Sequence, residues 1–227
     1  MKVLVCMSVV PDTTTKIQFN SDKTELQKDG VQFIINPYDE LAITKGLEIA
    51  ETNNGTVTVI HVGPAENDPS IRKALSMGVN EAIRVDSIAY DAQFVAHEIA
   101  QHATGYDLIL TGRESIDFNS GAVCGLLAAE LGLPSVNVVT DIQYTNGNCT
   151  MTRDIDGGRE TVSCPTPCVA SAQKDLCEPR IPNMRGIMAA RTKPLNVVAA
   201  SGAAEYSNIS SFESPAPKSG VKMIDAD

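Results

Sequence analysis

The chain has 227 residues, of which 43% are hydrophobic, so it can bury one sizeable core, and its formal net charge at pH 7 is −10. Lysine and arginine are scattered through the first 180 residues rather than clustered, which excludes the basic surface typical of nucleic-acid binding. No apolar run approaches the roughly 20 residues of a membrane-spanning helix, and the N-terminus lacks a secretory signal, so we expect a cytoplasmic protein without membrane insertion.

Apolar, β-branched runs alternate with helical patterns over the first 140 residues. These runs predict strands that begin at Lys2, Thr56, Glu81, Asp107 and Ser135, the first of them covering the whole run KVLVCMSVV. Such alternation indicates an α/β fold, a doubly wound and mostly parallel sheet of the flavodoxin or Rossmann-like kind, covered by helices on both faces.

The helices between these strands have clear start and stop signals. Asn36 is a good N-cap, Pro37 suits the first helical position, and Asn53-Asn54-Gly55 ends that helix. Asp68-Pro69 repeats the start signal. Two further helical patterns, DAQFVAHEIAQHA and GAVCGLLAAELG, complete four crossovers.

The pattern changes after Thr140. Residues 141–172 alternate in stretches separated by Asn146-Gly147 and Asp156-Gly157-Gly158, which predicts hairpins that form an antiparallel edge of the same sheet. Beyond them proline and charge recur and periodicity fades. We therefore predict an α/β nucleotide-binding domain over residues 1–172 and an extended C-terminal arm over residues 173–227 that packs on another surface.

The six cysteines and three histidines do not suggest a metal site. Cys164, Cys168 and Cys177 are the best candidates, but no histidine is near them and the sequence has no Cys-x-x-Cys pair. His97 and His102 lie five residues apart on one predicted helix, off a common face. We expect no metal, and cysteines that are small buried side chains in a reducing compartment.

Three loops follow predicted strands and should converge. They contain VVPDTTT, HVGPAEND and TGRESIDFNSG, and a doubly wound sheet binds ligands at the carboxyl ends of its strands. The last loop opens a helix near Gly121, where backbone N–H groups and the helix dipole can hold a phosphate, and Arg113 adds a positive charge. The alternative is that all three are ordinary connecting loops.

Sequence motifs for nucleotide hydrolysis and nucleophilic catalysis are absent. There is no Walker lysine, no Gly-x-Gly-x-x-Gly after the first strand, and no Gly-x-Ser-x-Gly or Cys-His pair. An independent ATP-binding enzyme or stress-type regulator remains the alternative of another class, although Arg113 is the sole cation between Gly112 and Gly121. The residues themselves indicate a nucleotide-type ligand without a catalytic group.

The chain resembles the β subunit of electron-transfer flavoproteins from Lys2 to about residue 200. The matching segments occur in the family's order: VLVCMSVVPDT, INPYDELAI, IRKALSMGVNEAIRV, GRESIDFNSG, TRDIDGGRETV followed by PTPCVASA, and EPRIPNMRGIMAARTKPL. Each segment is weak alone, but the set in this order is specific. The resemblance implies an electron-carrier subunit of an αβ heterodimer rather than an enzyme with its own substrate.

The resemblance also implies two cofactors. The β subunit binds a structural AMP, and the α subunit holds the redox FAD, which the β subunit touches at the interface. Electrons would pass from acyl-CoA or other flavin dehydrogenases to a membrane quinone oxidoreductase or another acceptor. Carried over position by position, the nucleotide site comprises Cys6, Asn36, Pro37, Tyr38, Asp39, Val62, Gly63, Gly112, Arg113, Glu114, Ser115, Ile116, Asp117, Phe118, Asn119, Ser120, Gly121, Ala122 and Val123.

Departures from the family's pattern leave the nucleotide open. Many members have Gln-Thr-Gly or Gln-Val-Gly where this chain has Ala122 to Cys124, so Asn119, Ser120 and main-chain N–H groups would bind the phosphate. The segment from Val10 to Thr14 resembles electron-bifurcating members, in which a second FAD reduced by NADH replaces AMP. We interpret the bulky ring of Phe118 as a filler of the space for that flavin, which favours AMP.

The arm segment RIPNMRGIMAAR resembles the recognition loop by which the family binds acyl-CoA dehydrogenases. Met184 stands at the anchor position, with Ile181 and Ile187 nearby, and an adaptable methionine suits a surface that serves several partners. The alternative is that Met184 packs on this subunit in a tight turn.

Overall fold

The computed structural model of the protein describes residues 1–89, 91–218 and 220. The strands of this part are Lys2–Cys6 (β1), Val9–Pro11 (β2), Phe33–Ile35 (β3), Thr56–Val62 (β4), Glu81–Asp86 (β5), Leu108–Gly112 (β6), Ser135–Thr145 (β7), Asn148–Ile155 (β8), Gly158–Pro165 (β9), Cys168–Ala172 (β10) and Leu195–Ala199 (β11). The helices are Pro37–Thr52 (α1), Asp68–Ser76 (α2), Ala92–Ala100 (α3), Val123–Leu131 (α4) and Met184–Ala190 (α5).

Most of these strands form one sheet. Among the described residues its order is β11-β5-β4-β1-β6-β10-β7-β8-β9. Every pairing from β11 to β7 is parallel, whereas β7, β8 and β9 pair antiparallel at one edge. The predicted doubly wound, mostly parallel sheet with an antiparallel edge is confirmed.

Helices cover both faces of the sheet because its central strands are apolar on both sides. In β1, Val3 and Val5 join the buried cluster under α1 and α2, whereas Leu4 and Cys6 join the cluster under α3 and α4. Full burial of one such aliphatic side chain stabilises the fold by about 1.5–3 kcal/mol. The uninterrupted apolar runs of the sequence are the direct consequence of this two-sided burial.

The connections leave β1 in opposite directions, which places a crevice beside it. The chain passes from β1 through α1 to β4 on one side, and it later returns through α3 to β6 on the other. In an open α/β sheet, ligands bind at such a switch point, outside the carboxyl ends of the strands. The crevice lies at the ends of β1 and β6.

The apolar run at the N-terminus is predicted to form a single strand. In the structure it forms two. β1 ends at Cys6, and Val9–Pro11 pairs with Phe33–Ile35 in a separate antiparallel ribbon. The chain turns at Ser8, whose N–H and hydroxyl both donate to the Asp39 carboxylate. Hydrophobicity alone does not reveal that turn, because the run is apolar in sequence on both sides of Ser8.

The prediction that residues 141–172 all belong to the antiparallel edge is wrong for β10. This strand lies between β6 and β7 and pairs in parallel with both. All of its residues are buried, as a central position requires. The two hairpin turns are as expected, since Asn146, Gly147 and Gly157 have the positive φ values of 48°, 82° and 85°.

Part of the segment after residue 172 folds back on the sheet. The strand β11 pairs in parallel with β5, and α5 packs on α2. Arg72 Nη1 fixes this packing by donating to the carbonyl oxygens of Ala190 at 2.9 Å and Lys193 at 2.7 Å. Of the predicted arm, residues 219 and 221–227 lie outside the described residues.

Candidate functional site

Asp39, in the first turn of α1, joins the ends of the two strands that flank the crevice. Its Oδ2 accepts hydrogen bonds from Ser8 N–H at 2.7 Å and Ser8 Oγ at 2.6 Å, and its Oδ1 accepts from Gly112 N–H at 2.9 Å. Burial raises the pKa of Asp39 to about 6, although these hydrogen bonds act in the opposite direction. The carboxylate therefore holds β1 and β6 together at the cost of a buried charge.

Asn36 fixes the loop after β6. Its Nδ2 donates to the Glu114 carbonyl at 2.8 Å, and its Oδ1 accepts from Ile116 N–H at 3.2 Å. Asn36 is the N-cap residue of α1 as predicted, but within the described residues its side chain makes no cap hydrogen bond. The amide instead uses its N–H donor and its acceptor oxygen on two peptide groups of the loop.

Gly112 is required by close approach rather than by backbone conformation. A Cβ at this position would overlap Asp39 Oδ1 and lie 2.8 Å from Tyr38 Cβ. Arg113 N–H donates to Ala172 O at 2.9 Å, which extends the pairing of β6 with β10 by one residue. The loop therefore leaves β6 pressed against the start of α1, which brings together two of the predicted nucleotide-binding segments.

The rest of this loop is open to solvent. Asp117 to Gly121 are exposed, and the left-handed φ values of Asn119 and Gly121, 54° and 59°, turn the chain into α4. Asn119 N–H donates to Ser115 O at 2.8 Å. Phe118 is 63% exposed, so its ring is not packed into the core of this subunit.

Cys6 and Val62 lie on the opposite face of the sheet from Asn36. They share a buried apolar cluster with Cys124 in the first turn of α4. Burial raises the pKa of the Cys6 thiol well above its ordinary value, with a further contribution from Asp39, and raises that of Cys124 to about 11. These cysteines are neutral thiols at pH 7, so they pack rather than react.

A groove of about 690 Å³ opens beside the start of α1. It lies between Tyr38 and Leu41 of α1, Ile116 of the loop after β6, and Cys177 and Pro179 of the segment after β10. Pro37 and Tyr38 are half-buried at its wall. The groove has a mixed apolar and charged rim and is continuous with the loop that Asn36 fixes.

Sequence reasoning missed a polar network at Gly63, in which the buried His61 and Arg84 contact the half-buried Asn67 and Asp68 and the exposed Asp86. His61 Nδ1 is 2.8 Å from the carbonyl oxygen of the residue after β1, and its Nε2 is 2.9 Å from Asn67 Nδ2. Arg84 Nε is 2.8 Å from Asp68 Oδ1, and its Nη1 donates to Asp86 Oδ1 at 2.5 Å. The sign of this network in the sequence is a histidine and an arginine inside strands predicted to be buried on both faces, because buried polar groups need hydrogen-bond partners.

The predicted recognition residues lie elsewhere on the surface. Ile181 is 87% exposed, Met184 75% and Ile187 43%. Asn183 Oδ1 caps α5 by accepting from Gly186 N–H at 2.8 Å. The structure therefore brings Met184 into solvent instead of packing it on this subunit.

The described residues hold no cluster of three or more His, Cys, Asp or Glu side chains with metal-binding geometry, and all six cysteines there are free. No helix in that part of the chain has the length and apolar character needed to cross a bilayer.

Comparison with known proteins assigns the family. Residues 24–203 match the family model described as electron transfer flavoprotein domain. Electron transfer flavoprotein subunit beta from Syntrophomonas wolfei is 36% identical over 230 residues, which cover 99% of this chain and 90% of the relative. The subunit of the same name from Bacillus subtilis is 35% identical, and the match covers 86% of this chain and 77% of the relative. Caffeyl-CoA reductase-Etf complex subunit CarD from Acetobacterium woodii is 31% identical, and the match covers 87% of this chain and 78% of the relative. The chain therefore belongs to the electron transfer flavoprotein β-subunit family.

Proposed function

We propose that this electron-transfer subunit binds AMP at the carboxyl ends of β1, β4 and β6 and helps an α subunit to hold its FAD. The observation that carries the proposal is the convergence of three loops at the switch point of the sheet. Asp39 links the ends of β1 and β6, and Asn36 links the start of α1 to the loop after β6. Such a crevice is where this class of fold binds nucleotides.

The phosphate belongs to the loop before α4. The N–H groups of Ser8 and Gly112 are already used by Asp39, and that carboxylate repels an anion. The exposed turn at Asn119 and Gly121 leads into the N-terminus of α4, whose orphan N–H groups and dipole favour a negative charge. Arg113 is the nearest cation in that loop.

AMP is favoured because hydrogen bonds fix the segment after β1 in place. Ser8 is bonded to Asp39, and the residues that follow it pair as β2 with β3. A second FAD reduced by NADH, as in bifurcating carriers, is the second candidate. It is favoured by the exposed small side chains of Thr13 and Thr14 in the segment after β1, which leave room for a flavin.

The partners follow from two surfaces. We assign the groove beside Tyr38 to contact with the α subunit and its FAD, because it joins the nucleotide loop to the segment after β10. We assign the exposed Ile181, Met184 and Ile187 to dehydrogenase binding, since an apolar cluster of this kind buries well against a partner. Electrons would leave to a quinone oxidoreductase or another acceptor.

Ligand release from the co-purified αβ heterodimer tests the proposal. Denatured protein is analysed by mass spectrometry and flavin absorbance, and one FAD with one AMP per heterodimer supports it. Two FAD with NADH-dependent reduction would show the bifurcating alternative. Bound ATP that is consumed, in a chain that purifies alone as a compact monomer, would instead identify an independent ATP-binding enzyme or regulator.

A further inference from the structure

We propose that His61 is a positioning residue that holds the end of β1 and the turn after β4 in a fixed relative position, so that neither can move without the other. Its contribution to nucleotide affinity rests on the proposed AMP site. The coupling between the two segments does not depend on that site.

The hydrogen bonds of His61 assign its proton. Met7 O can only accept, so His61 Nδ1 must carry the proton that it donates across 2.8 Å. Burial lowers the pKa of His61, which keeps the ring neutral, and Nε2 is then free to accept from Asn67 Nδ2 at 2.9 Å. One imidazole thus joins the residue that follows β1 to the turn that follows β4.

The turn is closely fitted to this ring. A Cβ on Gly63 would overlap His61 Nε2 and lie 2.8 Å from Asn67 Nδ2, so only glycine lets the chain pass. Gly63 N–H donates to Val85 O at 3.0 Å, and Gly63 O accepts from Arg84 Nη1 at 3.1 Å. A ligand at Gly63 therefore meets a backbone whose N–H is already used, and its fit depends on where the turn lies.

Charged side chains near the His61 ring also fix the turn at Gly63. The Arg84 cation is buried, and Asp68, at the start of α2, lies 2.8 Å from its Nε. Asp86, at the end of β5, accepts from Nη1. Because a buried cation is retained only when it is paired, these carboxylates keep Arg84 directed at Gly63. His61 and Arg84 thus hold opposite sides of the same turn.

Three substitutions separate the two hydrogen bonds of His61. An asparagine amide can occupy the Nδ1 position and keep the bond to Met7, a glutamine amide can reach the Nε2 position and keep the bond to Asn67, and leucine keeps neither. In the reconstituted αβ heterodimer, we expect His61→Leu to weaken AMP binding about 10-fold, the value of one net hydrogen bond. His61→Asn and His61→Gln should each recover part of the affinity.

The matched control is His102→Asn. This histidine follows the C-terminus of α3, before the amino end of β6 and so at the opposite end of the strands from the nucleotide loops, and its replacement should leave AMP affinity unchanged. Titration calorimetry with AMP gives the affinities. Native affinity in the His61→Leu heterodimer would overturn the role in binding, and an equal loss in all three His61 variants would indicate general loosening instead of positioning.

Hydrogen exchange of the nucleotide-free heterodimer tests the coupling without a ligand. In His61→Leu, we expect faster exchange in residues 5–10 and 62–68 together, with residues 148–165 unchanged. Faster exchange in one segment alone, or in all regions equally, would overturn the proposal. If the native heterodimer binds no AMP but both segments still loosen together, the coupling stands and the proposed nucleotide site fails.

Discussion

Replacing Asp39 with asparagine should remove part of the pH dependence of the protein's stability. In the native protein both carboxylate oxygens accept hydrogen bonds, Oδ2 from the N–H and hydroxyl of Ser8 and Oδ1 from Gly112 N–H. The asparagine Oδ1 can keep the bond from Gly112 N–H, and its Nδ2 can donate to the Ser8 hydroxyl, which rotates to accept, but Ser8 N–H loses its acceptor. The variant therefore gives up one hydrogen bond at every pH and has no charge to bury at neutral pH.

The magnitude follows from the raised pKa. Asp39 moves from its ordinary 3.8 to about 6 on folding, which corresponds to about 3 kcal/mol at 1.36 kcal/mol per pKa unit. A carboxyl group whose pKa is raised by folding contributes stability that is fully present below about pH 3.8 and is lost as the pH rises through about 6. The lost hydrogen bond costs the variant about 1–3 kcal/mol at every pH, and between pH 4 and pH 7 its free energy of unfolding should rise relative to that of the native protein by up to about 3 kcal/mol.

Urea denaturation of the purified chain at several pH values, followed by circular dichroism, measures this difference. Asp12→Asn is the control, since hydrogen bonds from Thr14 lower the pKa of this exposed carboxyl and any pH effect there has the opposite sign. A difference between variant and native protein that does not change between pH 4 and pH 7 would refute the reasoning. In that case the hydrogen bonds to the carboxylate offset its burial, and folding does not raise its pKa.

Three further substitutions test the site, the surface and the core. Gly112→Ala should cost about 1–3 kcal/mol and weaken AMP binding in the heterodimer, because the added Cβ overlaps Asp39, whereas Gly125→Ala meets open space and should be neutral or stabilising in urea denaturation. Met184→Glu should leave the nucleotide content unchanged while dehydrogenase-dependent reduction of the heterodimer falls, and unchanged reduction would contradict the assigned surface. Ile60→Ala, fully buried under α3, should cost about 2–5 kcal/mol in the same denaturation assay, and a loss below about 1 kcal/mol would show that the core repacks.

The sheet was predictable where local pattern decides the outcome. Apolar runs such as Thr56–Val62 are buried on both faces, and the glycine and asparagine turns at 146–147 and 157 have the backbone angles that their residue types indicate. The position of β10 was not predictable, because a short buried strand has the same composition beside β6 as it would have in a hairpin. Strand partners are chosen by contacts distant in sequence, which periodicity does not record.

The candidate site shows the same division. The three loops were located from the ends of the predicted strands, and Asp39 and Asn36 connect two of them, the segment after β1 and the loop after β6, to the start of α1. The partner of the Asn36 amide was not predictable, since a capping amide and one that bonds a loop 78 residues away are identical in sequence. Nor was the pairing of His61 with Asn67, although two polar side chains inside apolar strands were a sign that such a network exists.

The position of β10 in the sheet also determines how late in synthesis the sheet can be completed. This strand separates β6 from β7, yet it is translated after β7, β8 and β9. Until residue 172 has left the ribosome, a nascent chain carries two unpaired strand edges in the middle of its future sheet, and such edges favour association between chains. Insertion of the strand also requires contacts between residues far apart in sequence, which slows folding. Chains that terminate before β10 should therefore aggregate, whereas chains that reach Ala172 can complete the parallel part of the sheet from β5 to β7.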